Sequence, residues 1–157
     1  MMVYVAGSCR RRDIIDPVFD AVRGAGHVIT FDWRDSVTPE ALFGPDHESM
    51  ALDEMAAALN RPLARGKFAL DRDGIEQADV LVLVLPSGRS AAVEFGVAVG
   101  RGKPAIVYAP AGARMPAELM LAYARGFAAS IPELLRTLDR IAEEDVVGPS
   151  DHARLAG

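Results

Sequence analysis

Six consecutive aliphatic residues, Val80 to Leu85, run without a polar interruption and stop at Pro86-Ser87-Gly88. A strand with one solvated face alternates apolar and polar residues. A run with no alternation is buried on both faces, as in a parallel sheet covered by helices. Three other short apolar segments fit as companions: Val3 to Ala6, ended by Gly7-Ser8; Val28 to Phe31; and Ala105 to Tyr108, entered from Gly102-Lys103-Pro104. A fifth short strand is expected near Phe127.

Helices are expected between these strands. Asp16-Pro17 offers an N-cap with proline at the first helical position, followed by Val18, Phe19, Ala21 and Val22 up to Gly24. Asp32 to Pro45, interrupted by Pro39 and Gly44, predicts a loop. Asp46 can cap a helix through Leu59 that Asn60 and Pro62 end. A short helix is expected over Asp73 to Gln77 and another over Ser90 to Arg101. Ser130-Ile131-Pro132-Glu133 is a capping box opening a last helix to about Glu144. Strands alternating with helices predict a single α/β domain over residues 1–146. The expected architecture is Rossmann-like (flavodoxin-like), a doubly wound parallel five-stranded sheet in the order 2-1-3-4-5. Residues 147–157, rich in Gly, Pro, Ser and Asp, are expected to form a flexible tail.

Charge narrows the partner. Twenty-two acidic against 17 basic side chains give a formal charge of −5, which gains nothing from counterion release on a nucleic-acid polymer. One cysteine, no basic leader and no long apolar stretch predict a cytoplasmic protein with no membrane partner. No triphosphate-binding Gly-x-x-x-x-Gly-Lys string exists, and Gly100-x-Gly102 precedes a strand, the wrong side for a dinucleotide fingerprint. His27, His47 and His152 lack metal-ligand spacing. Neither cofactor nor metal is expected; the ligand should be a small molecule.

In a sheet of this order, ligands bind beyond the carboxyl ends of the strands, where the strand order reverses. Two loops leave there. Gly7-Ser8-Cys9-Arg10-Arg11-Arg12 concentrates three arginines, which suits a phosphate monoester. It suits equally a solvated turn whose arginines answer Asp13 and Asp16. Ser87, Gly88 and Ser90 offer hydroxyls and the free amides of a helix start. Glu94 then stands alone among Ala91, Ala92, Val93, Phe95 and Val97, a carboxylate either exposed, structural or buried for a purpose. Asp71 fits a helix N-cap, and Asp79 a strand entry. Tyr4 is either core or aimed at the crevice. Asp32 and Trp33, after the second strand, either meet a ligand or pack.

Taken together, these residues resemble the nucleoside 2-deoxyribosyltransferase superfamily, nearest to its 2′-deoxynucleoside 5′-phosphate N-hydrolase branch. The carriers are Val3-Tyr4-Val5-Ala6-Gly7-Ser8, Asp71 with Ala78-Asp79, and Ser90-Ala91-Ala92-Val93-Glu94-Phe95-Gly96 ending in Gly102-Lys103-Pro104. The likeness covers residues 3–108. It implies Glu94 as a nucleophile at C1′, Asp71 as the residue handling the base or its proton, and Tyr4 as the residue orienting Glu94. Gly7, Ser8, Arg10, Asp32, Trp33, Ser87, Gly88 and Ser90 would line the substrate. Ser8 and Arg10 resemble the hydrolases' phosphate-binding pair, although Arg11 and Arg12 stand where that branch has glycines. A homodimer is implied too, with Arg114 to Met120 as a candidate contributor to a shared pocket.

The expected activity is therefore an N-glycosidase on a nucleoside 5′-monophosphate, working through a covalent glycosyl-glutamate. A base-exchanging deoxyribosyltransferase, a non-catalytic nucleotide sensor and, more remotely, an NAD-cleaving glycohydrolase stay open as alternatives.

Overall fold

A computed structural model describes residues 1–147 of the chain; of the expected tail, Val147 closes the last helix and residues 148–157 lie outside the described residues. Five parallel strands form one sheet: β1 (Met2–Ala6), β2 (Val28–Ile29), β3 (Val80–Val84), β4 (Ala105–Tyr108) and β5 (Gly126–Ala128), in the order β2-β1-β3-β4-β5. This is the expected doubly wound α/β architecture in a single domain. The central pair aligns Tyr4 with Leu81 and Val5 with Val82. All five residues of β3 are buried, as its unbroken aliphatic run requires.

Helices α1 (Arg12–Gly24) and α6 (Ile131–Val147) pack together. Helices α4 (Pro62–Gln77) and α5 (Arg89–Gly100) pack together against β1 and, through α5, against β3. Right-handed crossovers put these two pairs on opposite faces of the sheet. Two shorter helices, α2 (Pro39–Phe43) and α3 (Leu52–Leu59), precede α4, and a 3-10 turn spans Leu119–Tyr123.

Several boundaries differ from the sequence expectations. α1 begins at Arg12, five residues before Pro17, which therefore sits inside the helix. The buried stripe explains this: Ile15, Val18, Phe19 and Val22 recur at helical spacing, and Ile15 joins it only if the helix starts early. Pro62 does not simply end a helix; it occupies the first turn of α4, where its missing N–H costs nothing. The expected short helix over Asp73 to Gln77 is the last third of that 16-residue element. α3 starts at Leu52 rather than near Asp46, and Thr38 and Pro39 open α2 inside the expected loop. The second strand stops at Ile29.

Local capping holds these parts in place. The Lys103 ammonium donates to the carbonyls of Glu76 (2.8 Å) and Ala78 (2.5 Å), closing the α4 C-terminus. At α6, Ser130 Oγ accepts from the Glu133 amide (3.4 Å), and the Glu133 carboxylate accepts from the Ala129 amide (2.7 Å). Among the described residues, no helix is long and apolar enough to cross a membrane.

Candidate active site

The strand order reverses between β1 and β3, and α4 and α5 lie over that point. Tyr4 is the third residue of β1 and is fully buried. Its hydroxyl donates to Asp71 Oδ1 on α4 (3.3 Å) and also faces the Glu94 carboxylate on α5. Close approach of α4 to this ring depends on Gly74: a Cβ there would lie 2.9 Å from Phe31 Cβ and 3.0 Å from Tyr4 Cε2. One turn earlier on the same helix, Asp71 is thereby set against the phenol. Gly7 has a similar role at the end of β1, since a Cβ there would meet Ile15 Cδ1 at 2.2 Å.

Glu94 is half-buried, and its carboxyl is pushed up to about 7. Burial is the main cause and the Asp71 charge the second, while the Lys67 charge and the Tyr4 hydroxyl pull the other way. The Tyr4 phenol is held far above its ordinary range, first by burial and then by the Glu94 and Asp71 charges. A phenol has one proton to give, and here two carboxylates compete for it. A carboxylate balanced near neutrality and set beside a hydroxyl, a second carboxylate and an ammonium is equipped to attack an electrophilic carbon.

Lys67 completes the group, and the sequence reasoning missed it. Its ammonium bonds both carboxylate oxygens of Asp71, with the two side chains only 16% and 19% exposed. It also lies 5.2 Å from the centroid of the Phe31 ring, within cation–π range. The available signal was the i,i+4 spacing of Lys67 and Asp71. Beside the cluster, between α4 and the segment after β2, opens a cleft of about 720 Å³ whose lining includes Phe31, Asp32, Ser36, Leu63, Lys67 and Leu70.

The other expected ligand residues are placed unevenly. Asp32 lines this cleft, but its carboxylate accepts from Arg34 (2.6 Å) and Arg23 (2.7 Å). The Arg34 bonds hold it well below the usual carboxylate range. Trp33 is packed rather than displayed: it is 9% exposed, its indole N–H donates to the Val5 carbonyl (2.6 Å), and its ring meets Phe19 edge-on at 5.8 Å. Ser87, Gly88 and Ser90 sit at the start of α5, whose N-cap, Gly88, supplies no side-chain bond.

In the β1–α1 turn, Ser8 Oγ accepts from the Arg10 amide (3.3 Å). Arg11 pairs with Asp13 (2.9 Å) and Arg12 with Asp16 (2.9 Å). Arg10 pairs with Glu48, both side chains about two-thirds exposed. The turn thus has the solvated, acid-answered form that stood beside phosphate binding in the sequence reading, with Arg10 the most open of the three. Among the described residues, no group of three or more His, Cys, Asp or Glu side chains is arranged to hold a metal ion.

No protein-family model matches the chain, and no curated protein matches it. Among solved structures of similar fold is the 2-deoxyribosyltransferase of the psychrotolerant bacterium Bacillus psychrosaccharolyticus. It is 16% identical and superposes with a TM-score of 0.56 over 86% of this chain and 90% of that one. Another is the CMP N-glycosidase BcmB of Clostridium botulinum, 16% identical, with a TM-score of 0.51 over 88% of this chain and 99% of that one. At this identity, the likeness is one of fold.

Proposed function

We propose that the protein is an N-glycosidase that hydrolyses the N-glycosidic bond of a nucleoside 5′-monophosphate through a covalent ester on Glu94. The observation that carries this reading is the meeting of the half-buried Glu94 and Asp71 carboxylates at the buried Tyr4, at the sheet's switch point. The names of two fold neighbours, a deoxyribosyltransferase and a CMP N-glycosidase, support the same bond class.

A Glu94 oxygen attacks C1′ while the C1′–N bond breaks and its electron pair leaves with the base. Water then attacks C1′, the ester bond breaks, and Glu94 regains its carboxylate. Splitting one displacement into two lowers each barrier, as in retaining glycosidases. Tyr4 orients the nucleophile when its single proton turns from Asp71 to Glu94, and Asp71 anchors Lys67 beside it.

Ser8 and Arg10 hold the phosphate in this reading, together with Ser87, Gly88 and Ser90 at the start of α5. Only the exposed Glu48 pair must open to release the Arg10 guanidinium. Gly7 keeps the turn close to the sheet. A homodimer is part of the proposal, with Arg114 to Met120 as the segment facing a shared pocket.

The test is a base-release assay over nucleosides and their 5′-monophosphates, with and without an acceptor base, on wild type and Glu94→Ala. Free base from monophosphates, lost in Glu94→Ala, is expected. Base exchange outrunning hydrolysis would instead identify a transferase. Nucleotide binding with no base release would identify a sensor and overturn the glycosidase.

A further inference from the structure

Lys67 has an unusual position. Its neighbours are the buried Tyr4 and the half-buried Asp71 and Glu94, and none of those three lines the cleft of about 720 Å³. Lys67 belongs to both. Its ammonium is bonded to Asp71 on one side and borders the cleft on the other, with the Phe31 ring alongside. The cleft's apolar wall and aromatic face suit a planar heterocycle, and Lys67 is its cationic donor.

Asp71 is the complementary case. Both of its oxygens accept from an ammonium, and one also accepts from the Tyr4 hydroxyl. A carboxylate bonded in this way is an acceptor with no proton to give. Yet a nucleobase leaves readily only if the electron pair from C1′–N is neutralised as the bond breaks.

We propose that Lys67, rather than Asp71, delivers the proton to the departing base; this rests on the glycosidase reading given above. The base lies in the cleft against Phe31 and presents a ring nitrogen or exocyclic oxygen to Nζ. As C1′–N breaks, one proton passes from the ammonium to the base and a Glu94 oxygen bonds to C1′. The base leaves neutral. Lys67 is then an uncharged amine, Asp71 is still an anion and Glu94 is an ester, so the net charge of the three is unchanged. When water attacks C1′, its proton returns to the Lys67 amine and Glu94 leaves as a carboxylate, restoring the starting state.

Groups facing Lys67 are Asp71 on its own helix, Glu94 on α5, Tyr4 on β1, and Asp32 and Asp35 across the cleft. Asp32 is already committed to Arg34 and Arg23.

The test compares two leaving groups in Lys67→Met and Lys67→Arg. One substrate is a natural nucleoside 5′-monophosphate. The other is the 4-nitrophenyl glycoside of the same sugar phosphate, whose leaving group needs no proton. Lys67→Met is expected to lose about 100-fold or more in kcat on the nucleotide, the usual contribution of a general acid. On the nitrophenyl glycoside kcat/KM, which reports only the step that forms the Glu94 ester, should fall about fivefold at most. Lys67→Arg keeps the positive charge and the Asp71 pair but does not give up a proton, so the nucleotide rate should stay at about one-tenth of wild type or below.

Equal losses on both substrates, or full recovery of nucleotide cleavage by arginine, would overturn the proposal. Circular dichroism checks folding, and the arginine variant decides the matter alone if the methionine variant does not fold. Wild-type protein that cleaves neither substrate would fail the glycosidase reading itself, a result distinct from active wild type with indifferent variants.

Discussion

The molecule carries two concentrations of charge near the carboxyl end of β1, and they behave oppositely. The β1–α1 turn holds three arginines, each answered by an acid at the surface. The α4–α5 cluster holds one lysine for two carboxylates and a phenol, with Tyr4 fully buried. In the turn, the Arg10–Glu48 and Arg11–Asp13 pairs are open to water, and each partner only favours the charged form of the other. In the cluster, burial makes each charge felt by the next, so that Glu94 rises to about 7. What a charged side chain can do depends less on its number of like neighbours than on how much water surrounds it.

The sharpest way to break this contrast is to remove one group from each region. Glu94→Gln should lower kcat for base release by about 10⁴-fold while nucleotide still binds. Arg11→Ala should stay within about twofold, since it deletes a solvated pair. Rapid-quench product analysis and equilibrium dialysis separate the two. A Glu94→Gln enzyme retaining a tenth of wild-type turnover would move the reacting centre elsewhere.

Next comes pH. Glu94 attacks as the carboxylate, so kcat/KM of wild type should fall on the acid side of about pH 7, the value to which Glu94 is pushed. Asp71→Asn removes a like charge, so the acid limb should move to lower pH, with kcat down about 10-fold or more. Tyr4→Phe removes a donor to the ionised form, and its limb should move to higher pH. Paired pH–rate profiles decide this; limbs that coincide would show that the cluster is not coupled.

Stability gives a smaller effect. Glu94 binds its proton more tightly when folded than in its ordinary state, 4.5 against about 7. Its contribution to stability is therefore fully present below pH 4.5 and is lost as pH rises through 7. Glu94→Gln, which never ionises, should melt higher than wild type at pH 8, by on the order of 3 kcal/mol at most, and match it at pH 4. Thermal melts at both pH values test this. No gap at pH 8 would mean that Glu94 is solvated like the turn. Arg10→Ala, whose effect is confined to one substrate class, is expected to raise KM for a monophosphate about tenfold and to leave nucleoside turnover unchanged. An equal effect on both substrates would remove Arg10 from phosphate recognition.

The sheet was legible because burial on both faces leaves an unmistakable aliphatic run, as in Val80 to Val84. α4 was not, and the reason is physical. Its inward stripe is Ala64, Lys67, Asp71, Gly74 and Ile75, so two of the positions a periodicity search needs are charged and one has no side chain. The residues that give the helix its role in the site are the ones that hide it. Pro62 added to this, since proline both ends one helix and begins another. Tyr4, Asp71 and Glu94 could be singled out one at a time; their convergence, and the addition of Lys67, required the fold. Trp33 shows the reverse. A strand-end tryptophan looks like a ligand platform until its N–H is found on the Val5 carbonyl.

The sheet order has one more consequence. Tyr4, Lys67, Asp71 and Glu94 all precede β4, while β4, β5 and α6 supply none of these four side chains. For these four groups that half of the sheet is a support. An engineer could exchange the outward residues of α6, or fix the protein to a support through that helix, while the four groups keep their spacing. The joint to preserve is the β3–β4 register, Val82 against Ile106, through which that half holds the strand beneath the site.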